Sequence, residues 1–412
     1  MNYSMLKNIS ANGFQDQIRH APETGSGSVL SPRVDYPRIQ FCTKCVYPGV
    51  AATPLTFDEH GVCSGCRTHD EQDTVDWGQR EKLFRELCED YRSKDGRRYD
   101  CLIPVSGGKD SFYQIHLLKF VYGMNPLLVT YNENNETPVG KRNIQRMKEV
   151  FGCDYINMTA SIDVVKKMNR IGMRKMGDPD MHCHMGINAV PIQMAVRFQI
   201  PLIIWGEHGF MNLGGMHSYK DMVEYTARYR KEHLLRGYDW DDFVGEEGLT
   251  EQDMLWAKYP SDQEIEDLDV RGVFISNFFG WKQHEHTKLM VDLYGFELNP
   301  IPFDRTYSRD ANLNNFHDNG IHDYMKYIKF GYGRVHDHVS RDIRNGLMSR
   351  DEGVALCKQY EGVVPGDLPR WLDYVGWTRT EFEKVADTFR DPKVWVKNEY
   401  GDWIKDAVWL HN

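Results

Sequence analysis

The 412-residue sequence contains no run of about 18 apolar residues, the length that a membrane-spanning helix requires. Residues 1–36 also lack the basic and apolar segments of a secretory signal peptide. Only nine cysteines occur, which is too few for a disulfide framework in a chain of this length. We therefore expect a protein without membrane insertion that works in the reducing cytoplasm.

Basic residues are also fewer than acidic residues. The chain has 50 Lys and Arg residues against 60 Asp and Glu residues, which gives a formal net charge of -10. A nucleic acid would be repelled at long range unless a local basic face overcame this charge, so we expect no nucleic-acid partner. The hydrophobic fraction of 41% is ordinary for a folded enzyme, and it excludes a wholly disordered or collagen-like chain.

Four of the nine cysteines form two Cys-x-x-Cys pairs. Cys42 and Cys45 make the first pair, and Cys63 and Cys66 make the second. Each pair can bind one edge of a tetrahedral ion, and four thiolates complete a closed site with no position for water. Four metal-free buried thiols or a redox pair are the alternatives, although a redox function needs only one pair. The spacing predicts a structural Zn²⁺ site.

The sequence pattern divides the chain into four segments. Residues 1–36 are polar and are expected to be a flexible tail, and residues 37–94 hold the zinc-binding module and a linker helix. Strand and helix patterns alternate over 95–305, which is typical of a doubly wound parallel α/β sheet. An acidic and aromatic insertion at about 213–269 should cover the open edge of that sheet, as a lid or as a solvated helical hairpin. Residues 306–412 are predicted to be mainly helical.

Hydrophobic periodicity gives the individual elements of this pattern. The predicted strands are 99–105, 125–131, 154–158, 201–206 and 270–274. The predicted helices are 77–94, 141–151, 188–198, 321–328, 337–344, 350–360 and 379–389. Ligands of such a sheet bind at the carboxyl ends of its strands, so the residues that follow each strand are the first candidates for a site.

The sequence SGGKDS lies between the first predicted strand and a helical pattern. Its residues are Ser106, Gly107, Gly108, Lys109, Asp110 and Ser111. Glycines let backbone N–H groups approach a phosphate, the two serine hydroxyls add donors, and Lys109 adds a positive charge at a helix N-terminus. The pattern departs from GxxxxGK[ST], which disfavours a Walker-type kinase or GTPase. The motif predicts a phosphate cradle in which Asp110 either helps to bind Mg²⁺ or acts as a helix N-terminal charge.

Two further candidates stand next to predicted elements of the sheet. Glu207 follows the strand at 201–206 and is expected to contact nucleotide or substrate, with a helix-capping carboxylate as the alternative. His184 belongs to the sequence MHCHMG, expected just before a helix, and can contact the substrate. Metal binding by His182, Cys183 and His184 together is disfavoured, because three consecutive residues cannot easily face one ion.

A group of basic residues marks the C-terminal segment. Arg334, His338 and Arg341 recur at spacings of three to four in a predicted helix. One face of this helix can therefore bind an anionic diphosphate or a carboxylate. A solvated helix held by salt bridges is the alternative.

The SGGKDS loop after an apolar strand resembles the pyrophosphate loop of the PP-loop ATP pyrophosphatases. Members of that superfamily cleave ATP between the α and β phosphates and transfer AMP to a carbonyl oxygen. The N-terminal FCTKC and CSGC pairs, WGEHGF at 205–210 and FGYGRVHDHVSRDIRNGLMSRDEGV at 330–354 extend the resemblance. Together they resemble the N-acetyl sugar amidotransferases of bacterial surface-polysaccharide and lipopolysaccharide (LPS) O-antigen biosynthesis.

The resemblance implies an ATP-dependent carbon–nitrogen ligase that forms AMP and diphosphate. It would convert the acetamido group of a nucleotide-linked N-acetyl sugar into an acetamidino group. The implied catalytic residues are Lys109, Ser106 and Asp110, the implied ATP and Mg²⁺ contacts are the SGGKDS loop and Glu207, and the implied sugar-nucleotide contacts are His184, Arg334, His338 and Arg341.

Partners and alternatives follow from what the chain does not contain. No cysteine has a nucleophile-elbow context, so ammonia would come from solution or from a partner. The resemblance implies that this partner is a glutaminase with a cyclase-like subunit. The alternative within the superfamily is thiolation of tRNA or of a small molecule, for which Cys101, Cys153 or Cys183 would handle sulfur. A zinc-bearing scaffold without catalysis is the third possibility, and the intact SGGKDS loop disfavours it.

Overall fold

Five short strands form the central sheet of the protein, whose computed structural model describes residues 36–311, 313 and 316–411. The strands are β1 (Cys101–Pro104), β2 (Pro126–Asn132), β3 (Tyr155–Thr159), β4 (Leu202–Trp205) and β5 (Arg271–Phe274). Their order is β3-β2-β1-β4-β5, and every neighbouring pair is parallel. The direction of strand succession reverses at β1, which opens a crevice beyond the carboxyl ends of β1 and β4. The predicted doubly wound α/β class is confirmed.

The inner strands are buried on both faces. Leu102 of β1 and Ile203 of β4 pack into one hydrophobic cluster, whereas Ile103 and Ile204 pack into a second cluster on the opposite face. Successive side chains of a strand point to opposite faces, so a sheet covered twice requires uninterrupted apolar strands. This double burial explains why these strands were recognisable as short apolar runs.

Ten helices precede the C-terminal region in the described residues. They are α1 (Ser64–Glu71), α2 (Trp77–Tyr91), α3 (Lys109–Ile115), α4 (Pro138–Phe151), α5 (Ile162–Met176), α6 (Met181–Arg197), α7 (Gly209–Gly214), α8 (Ala227–Tyr229), α9 (Asp262–Leu268) and α10 (Gln283–Tyr294). Helices α3 and α8 continue as π-helical turns at His116–Val121 and Arg230–Leu234. Neither α5 nor α10 was predicted.

The C-terminal region is mainly helical, as predicted. Its elements are α11 (Phe316–Phe330), α12 (Arg334–Arg344), α13 (Arg350–Tyr360), α14 (Leu368–Val375), α15 (Arg379–Asp387) and the antiparallel hairpin of β6 (Trp395–Lys397) and β7 (Trp403–Lys405). The prediction missed α14 and the hairpin. Helix α12 is largely buried, which corrects the alternative of a solvated salt-bridged helix.

Helix α6 begins seven residues earlier than the predicted start at 188, at Met181. The sequence MHCHMG therefore forms the first turns of the helix and does not precede it. The physical reason is that Met181, His182, Cys183 and Met185 are all buried, so the start of the helix has no polar face to mark a helical period.

The insertion at 213–269 packs against the edge of the sheet. Tyr225 pairs with Gly272 of β5 in an antiparallel bridge, and its ring stacks on Trp205 at 4.5 Å between centroids. The insertion also contributes Phe243 and Trp256 to the hydrophobic core on that face of the sheet. The insertion is packed on the edge of the sheet and does not form a solvated hairpin.

The cysteine module and the C-terminal region pack against each other and against helices of the α/β domain. Contacts group the chain from Tyr36 onward into one unit. The Tyr47 hydroxyl of the module, for example, donates a hydrogen bond of 2.7 Å to Asp337 of α12. The tail predicted at 1–36 lies, apart from Tyr36, outside the described residues. Within the described ranges, every helix is too short or too polar to span a bilayer.

Candidate active site

The cysteines of the two Cys-x-x-Cys pairs converge in one buried cluster. Cys42, Cys45, Cys63 and Cys66 have no solvent exposure, and their sulfur atoms lie within 4.8 Å of one another. The Cys42–Cys66 and Cys45–Cys63 sulfur distances are 3.9 and 3.8 Å. A tetrahedral zinc ion with Zn–S bonds of about 2.3 Å separates its sulfur ligands by about 3.8 Å. The cluster can therefore bind zinc in a closed site.

Arg344 joins the cysteine cluster to the rest of the molecule. Its Nε donates to the Cys66 sulfur at 3.4 Å, and Nη2 lies 3.6 Å from the Cys63 sulfur. Its Nη1 donates to the carbonyls of Asn212 and Leu213 at 2.8 and 3.0 Å. Four thiolates exceed the charge of one zinc ion, so this buried guanidinium offsets part of the remaining negative charge.

The SGGKDS loop runs from the end of β1 into α3. Gly107 has a φ of +74°, and a Cβ at this position would lie 2.4 Å from Ile144 Cγ1, so both the backbone and the packing require glycine. The Ser106 amide donates to the Ser111 hydroxyl at 2.9 Å and closes the loop. Gly108 is the extended N-cap of α3, which leaves the first N–H groups of the helix free to face a phosphate.

Lys109 is buried beside two carboxylates. It is only 7% exposed, and its Nζ lies 3.3 Å from Asp110 Oδ2. Burial lowers the pKa of Lys109, but the charges of Asp110 and Asp310 raise it above its ordinary value. Asp310 accepts hydrogen bonds from the hydroxyls of Thr287 at 2.8 Å and Ser308 at 2.7 Å. Lys109 therefore stays charged and can stabilise a polyphosphate.

Glu207 lies beyond the carboxyl end of β4, and its charge also raises the pKa of Lys109. Asn212 and Gln283 each donate a hydrogen bond of 2.9 Å to its carboxylate. Helix α7 is capped by His208, which accepts from the Met211 amide at 3.2 Å. Glu207 is therefore not the helix cap, and its carboxylate faces the site.

Arg341 reaches this site from α12. Its Nη2 lies 3.7 Å from Glu207 Oε1, its Nη1 donates to Gln283, and its charge acts on Lys109. A polar cleft opens at this point between the cysteine module, the sheet and α12. Its lining includes Thr68, His69, Gln72, Glu207, Asn212, Tyr219, Trp281, Arg341 and Asn345. The structure thus brings together three predicted residues, Lys109, Glu207 and Arg341.

Two histidines near Arg341 have pKa values shifted in opposite directions. His338 lies 2.7 Å from the Thr306 hydroxyl, and burial lowers its pKa to about 4, so it is neutral at pH 7. His284 lies 2.7 Å from Asp342, and this hydrogen bond raises the pKa of His284. His338 can thus offer a hydrogen bond to a substrate but no positive charge.

The other two predicted substrate contacts do not line this cleft. Arg334 forms an ion pair of 2.8 Å with Asp323 and donates to Asn319 at 3.0 Å. His184 lies 4.0 Å from Asp178, and burial lowers its pKa to about 3. Their roles in substrate binding stay predictions.

The three cysteines considered for sulfur transfer are poor nucleophiles. Cys101 is buried in β1, Cys183 is buried beside Glu133, and Cys153 is half-buried. Burial raises the pKa of all three thiols, so they stay protonated at neutral pH. Nothing in the environment of these thiols favours the thiolation alternative.

Sequence reasoning missed Asp310 and the residues of α10. Gln283, His284 and Thr287 occupy the first turns of this helix, which follows β5. The polar sequence QHEHT after a buried strand was the available signal, because polar residues beyond strand carboxyl ends line such sites. Asp310 lies in a loop without a recognisable motif.

The C-terminal region has a match among known families. Residues 305–408 match the model of the family described as LPS biosynthesis protein WbpG-like, C-terminal domain. Residues 305–408 form a WbpG-like domain. This match confirms the predicted relation to proteins of LPS biosynthesis, and it includes both Arg341 and Arg344.

Other similarities cover less of the sequence or are more distant. An uncharacterised protein of Methanocaldococcus jannaschii is 28% identical over 88 residues, 21% of this chain, and the chain spans only 31% of that protein. An NH3-dependent NAD synthetase from Campylobacter jejuni, in complex with the nitrate ion, is 15% identical over 48% of this chain and 93% of its own, with a TM-score of 0.27. An NMN synthetase from Francisella tularensis is 11% identical over 55% of this chain and 99% of its own, with a TM-score of 0.25.

Proposed function

We propose that this protein is an ATP-dependent amidotransferase of LPS O-antigen biosynthesis. It converts the acetamido group of a nucleotide-linked sugar into an acetamidino group. The observation that carries the proposal is the contact of Arg341 with Glu207 beside Lys109. Through this contact, a domain related to LPS biosynthesis supplies one wall of the cleft beside the phosphate loop.

The reaction needs ATP because an amide carbon is a poor electrophile. The amide oxygen attacks the α-phosphorus of ATP, the bond to the bridging oxygen breaks, and diphosphate leaves. Ammonia then attacks the carbon of the O-adenylated intermediate, and AMP departs with the former amide oxygen. Loss of a proton from nitrogen gives the amidine, so each turnover consumes one ATP and one ammonia.

The phosphate loop provides the charge stabilisation for the first step. Lys109 and the backbone N–H groups at the start of α3 bind the diphosphate as negative charge develops on it. Asp110 and Glu207 would hold a Mg²⁺ ion, which would offset the negative charge of the phosphates, and Asp110 Oδ1 is a buried oxygen without a hydrogen-bond partner. A free lone pair on this oxygen can coordinate a cation. The cysteine cluster holds a structural Zn²⁺ and takes no part in the chemistry.

The sugar nucleotide binds on the polar side chains that border this cleft. Arg341 can bind its diphosphate, and the side chains of Asn212, Tyr219 and Gln283 can bind sugar hydroxyls. These three polar groups already form a hydrogen-bonded chain, with Tyr219 donating to Asn212 at 2.6 Å and Asn212 and Gln283 donating to Glu207. A preformed polar network loses less entropy when it binds a ligand.

Ammonia is supplied by a partner glutaminase with a cyclase-like subunit. A glutaminase of the cysteine class needs a thiol with a lowered pKa. Outside the zinc-type cluster, the described residues contain five cysteines, and burial raises the pKa of each thiol: Cys88, Cys101, Cys153, Cys183 and Cys357. Free ammonium should therefore support turnover, whereas glutamine should do so only with the partner present.

The test is to incubate the purified protein with ATP, Mg²⁺, ammonium and a panel of UDP- and CMP-linked acetamido sugars. AMP and sugar mass are followed together. We expect AMP in proportion to a sugar product lighter by about one dalton, the mass change when carbonyl oxygen becomes imine nitrogen. AMP without a sugar product would contradict the proposed acceptor, and no AMP with any sugar would contradict the proposed use of ATP.

A further inference from the structure

A second group of titratable side chains lies near the carboxyl end of β2. Asp180 and His182 stand at the start of α6, and Asp318 lies in the first turn of α11. One ligand atom from each residue lies within 4.8 Å of the other two. Their exposed fractions are 2%, 0% and 1% respectively, so the group is cut off from bulk water.

Each of the three residues has one buried polar atom without a hydrogen-bond partner. The atoms are Asp180 Oδ1, His182 Nε2 and Asp318 Oδ2. Buried polar atoms in folded proteins are nearly always paired, so three orphans in one small group indicate a missing ligand. Two of the orphans are carboxylate oxygens, so the ligand must be a cation or a donor.

The opposite sides of two of these residues are held in position. The Tyr131 hydroxyl lies 3.3 Å from His182 Nδ1, and Asn319 donates to Asp180 Oδ2 at 3.4 Å. A Cβ on Gly186, one turn after His182, would lie 2.4 Å from the Tyr131 ring, so α6 packs tightly on β2 here. Metal-binding histidines and carboxylates are commonly oriented by such outer contacts.

A neighbouring group has a different balance of charge. Asp178, His184 and His322 also lie within 4.8 Å of one another. There, however, Asp178 already accepts from Arg236 at 2.5 Å and lies 2.8 Å from His322. The Arg236 guanidinium already balances the charge of the Asp178 carboxylate, although His184 Nε2 has no hydrogen-bond partner in the described part of the chain.

Asp180 and Asp318 have no comparable partner. Among the described residues, neither carboxylate forms an ion pair within 4.0 Å with a Lys, Arg or His side chain. Burial, followed by the charge of Asp318, raises the pKa of Asp180 well above its ordinary value, and burial raises the pKa of Asp318 to about 6. Two buried carboxylates at this distance are stabilised when a dication neutralises both.

We propose that Asp180, His182 and Asp318 bind a divalent transition-metal ion, separate from the cysteine cluster and from the phosphate loop. One imidazole nitrogen and two carboxylate oxygens suit Zn²⁺, Mn²⁺ or Fe²⁺, whereas Ca²⁺ and Mg²⁺ prefer oxygen ligands alone. The ion connects α11 of the WbpG-like domain to α6 of the α/β domain. It therefore holds the two parts of the chain together near the carboxyl end of the sheet.

The test is the metal content of the full-length protein after incubation with Zn²⁺, Mn²⁺ or anaerobic Fe²⁺ and removal of excess ion. Elemental analysis should find about two ions per chain in the wild type and about one in His182→Ala, because the cysteine cluster keeps its own ion. Asp180→Asn, which keeps the side-chain volume, should behave like His182→Ala. His317→Ala is the matched control, since His317 stands next to Asp318 but contacts Asp367 at 2.8 Å.

Thermal unfolding gives an independent readout of the same site. Added ion should raise the Tm of the wild type and of His317→Ala, but not that of His182→Ala. A wild type that retains only one ion with all three metals overturns the proposal, as does equal metal content in the wild type and His182→Ala. The measurement needs no turnover, so its outcome is separate from that of the proposed function.

Discussion

The cysteine cluster and the phosphate loop are both short, turn-rich segments, yet the fold buries the cysteine cluster and leaves part of the phosphate loop open to solvent. The four cysteines have no exposed surface and are covered by Arg344. In the loop, Ser106 is exposed and Gly108 and Asp110 are half-buried, whereas Gly107, Lys109 and Ser111 are buried. A closed set of ligands leaves no position for a reactant, whereas open donors do. We expect substitutions in the first region to change stability and substitutions in the second to change rate.

Helix α12 connects the two regions. Arg344 contacts the cysteine sulfurs, and Arg341, three residues earlier, contacts Glu207 in the cleft. Residues three apart lie on neighbouring parts of one helix face, so a single helix can serve both regions. The same helix therefore offers a matched pair of arginines with different expected effects.

The largest effect on stability is expected for Cys42→Ser. Loss of one thiolate should remove the zinc ion and lower the free energy of unfolding by more than about 4 kcal/mol. Elemental analysis and chemical denaturation measure the two changes. Cys153→Ser is the control, because Cys153 lies outside the cluster and is half-buried. Retention of zinc and stability by Cys42→Ser would contradict the structural role.

The largest effect on rate is expected for Lys109→Ala. Removing the charge that faces the phosphates should reduce AMP formation by about 10²- to 10³-fold, while zinc content is unchanged. The control is Lys119→Ala, in the π-helical turn that continues α3, where the side chain donates to the Gly152 carbonyl. Normal turnover in the Lys109→Ala enzyme would remove the phosphate loop from the mechanism.

Arg341→Met and Arg344→Met should separate the two regions on one helix. The first should raise the KM for the sugar nucleotide by about 10- to 100-fold, because a charge-assisted contact is lost, with little change in Tm. The second should lower Tm, because it leaves the carbonyls of Asn212 and Leu213 without a donor. Steady-state kinetics and thermal melts on both variants measure the KM and the Tm. Equal changes of KM and Tm in the two variants would contradict the separate roles of Arg341 and Arg344.

The smallest effect is expected from a pair of glycines. Gly107→Ala introduces both a positive φ and a 2.4 Å contact with Ile144, whereas Gly96→Ala introduces a positive φ with nothing within 4 Å. Gly107→Ala should therefore destabilise the protein by about 1–2 kcal/mol more than Gly96→Ala, as measured by denaturant unfolding. Equal destabilisation would mean that the loop moves away from α4 at little cost.

The inner strands of the sheet were predictable because they are buried on both faces. Apolar runs located β1, β2 and β4, and all five strands were predicted to within about two residues, as with the prediction at 201–206 for Leu202–Trp205. The two Cys-x-x-Cys pairs and SGGKDS were recognisable because metal and phosphate binding restrict residue type and spacing. Sequence pattern alone was sufficient for sites whose residues lie close together in the chain.

The parts that were missed depend on packing between distant segments. Arg344 and Cys66 are 278 residues apart, and no spacing rule connects them. Helix α6 starts inside the core, where no polar face marks its first turn. Asp310 acquires its role only because the chain brings it to Lys109.

The proposed chemistry is tested most directly by following the acetamido oxygen. A sugar nucleotide whose acetamido carbonyl carries a heavy oxygen isotope is converted with unlabelled ATP and ammonium, and the AMP is analysed by mass spectrometry. If the amide oxygen is adenylated, the label appears in the phosphate of AMP in proportion to the amidine formed. Unlabelled AMP accompanying a genuine amidine product would show that the oxygen leaves by another route and would contradict the adenylated intermediate.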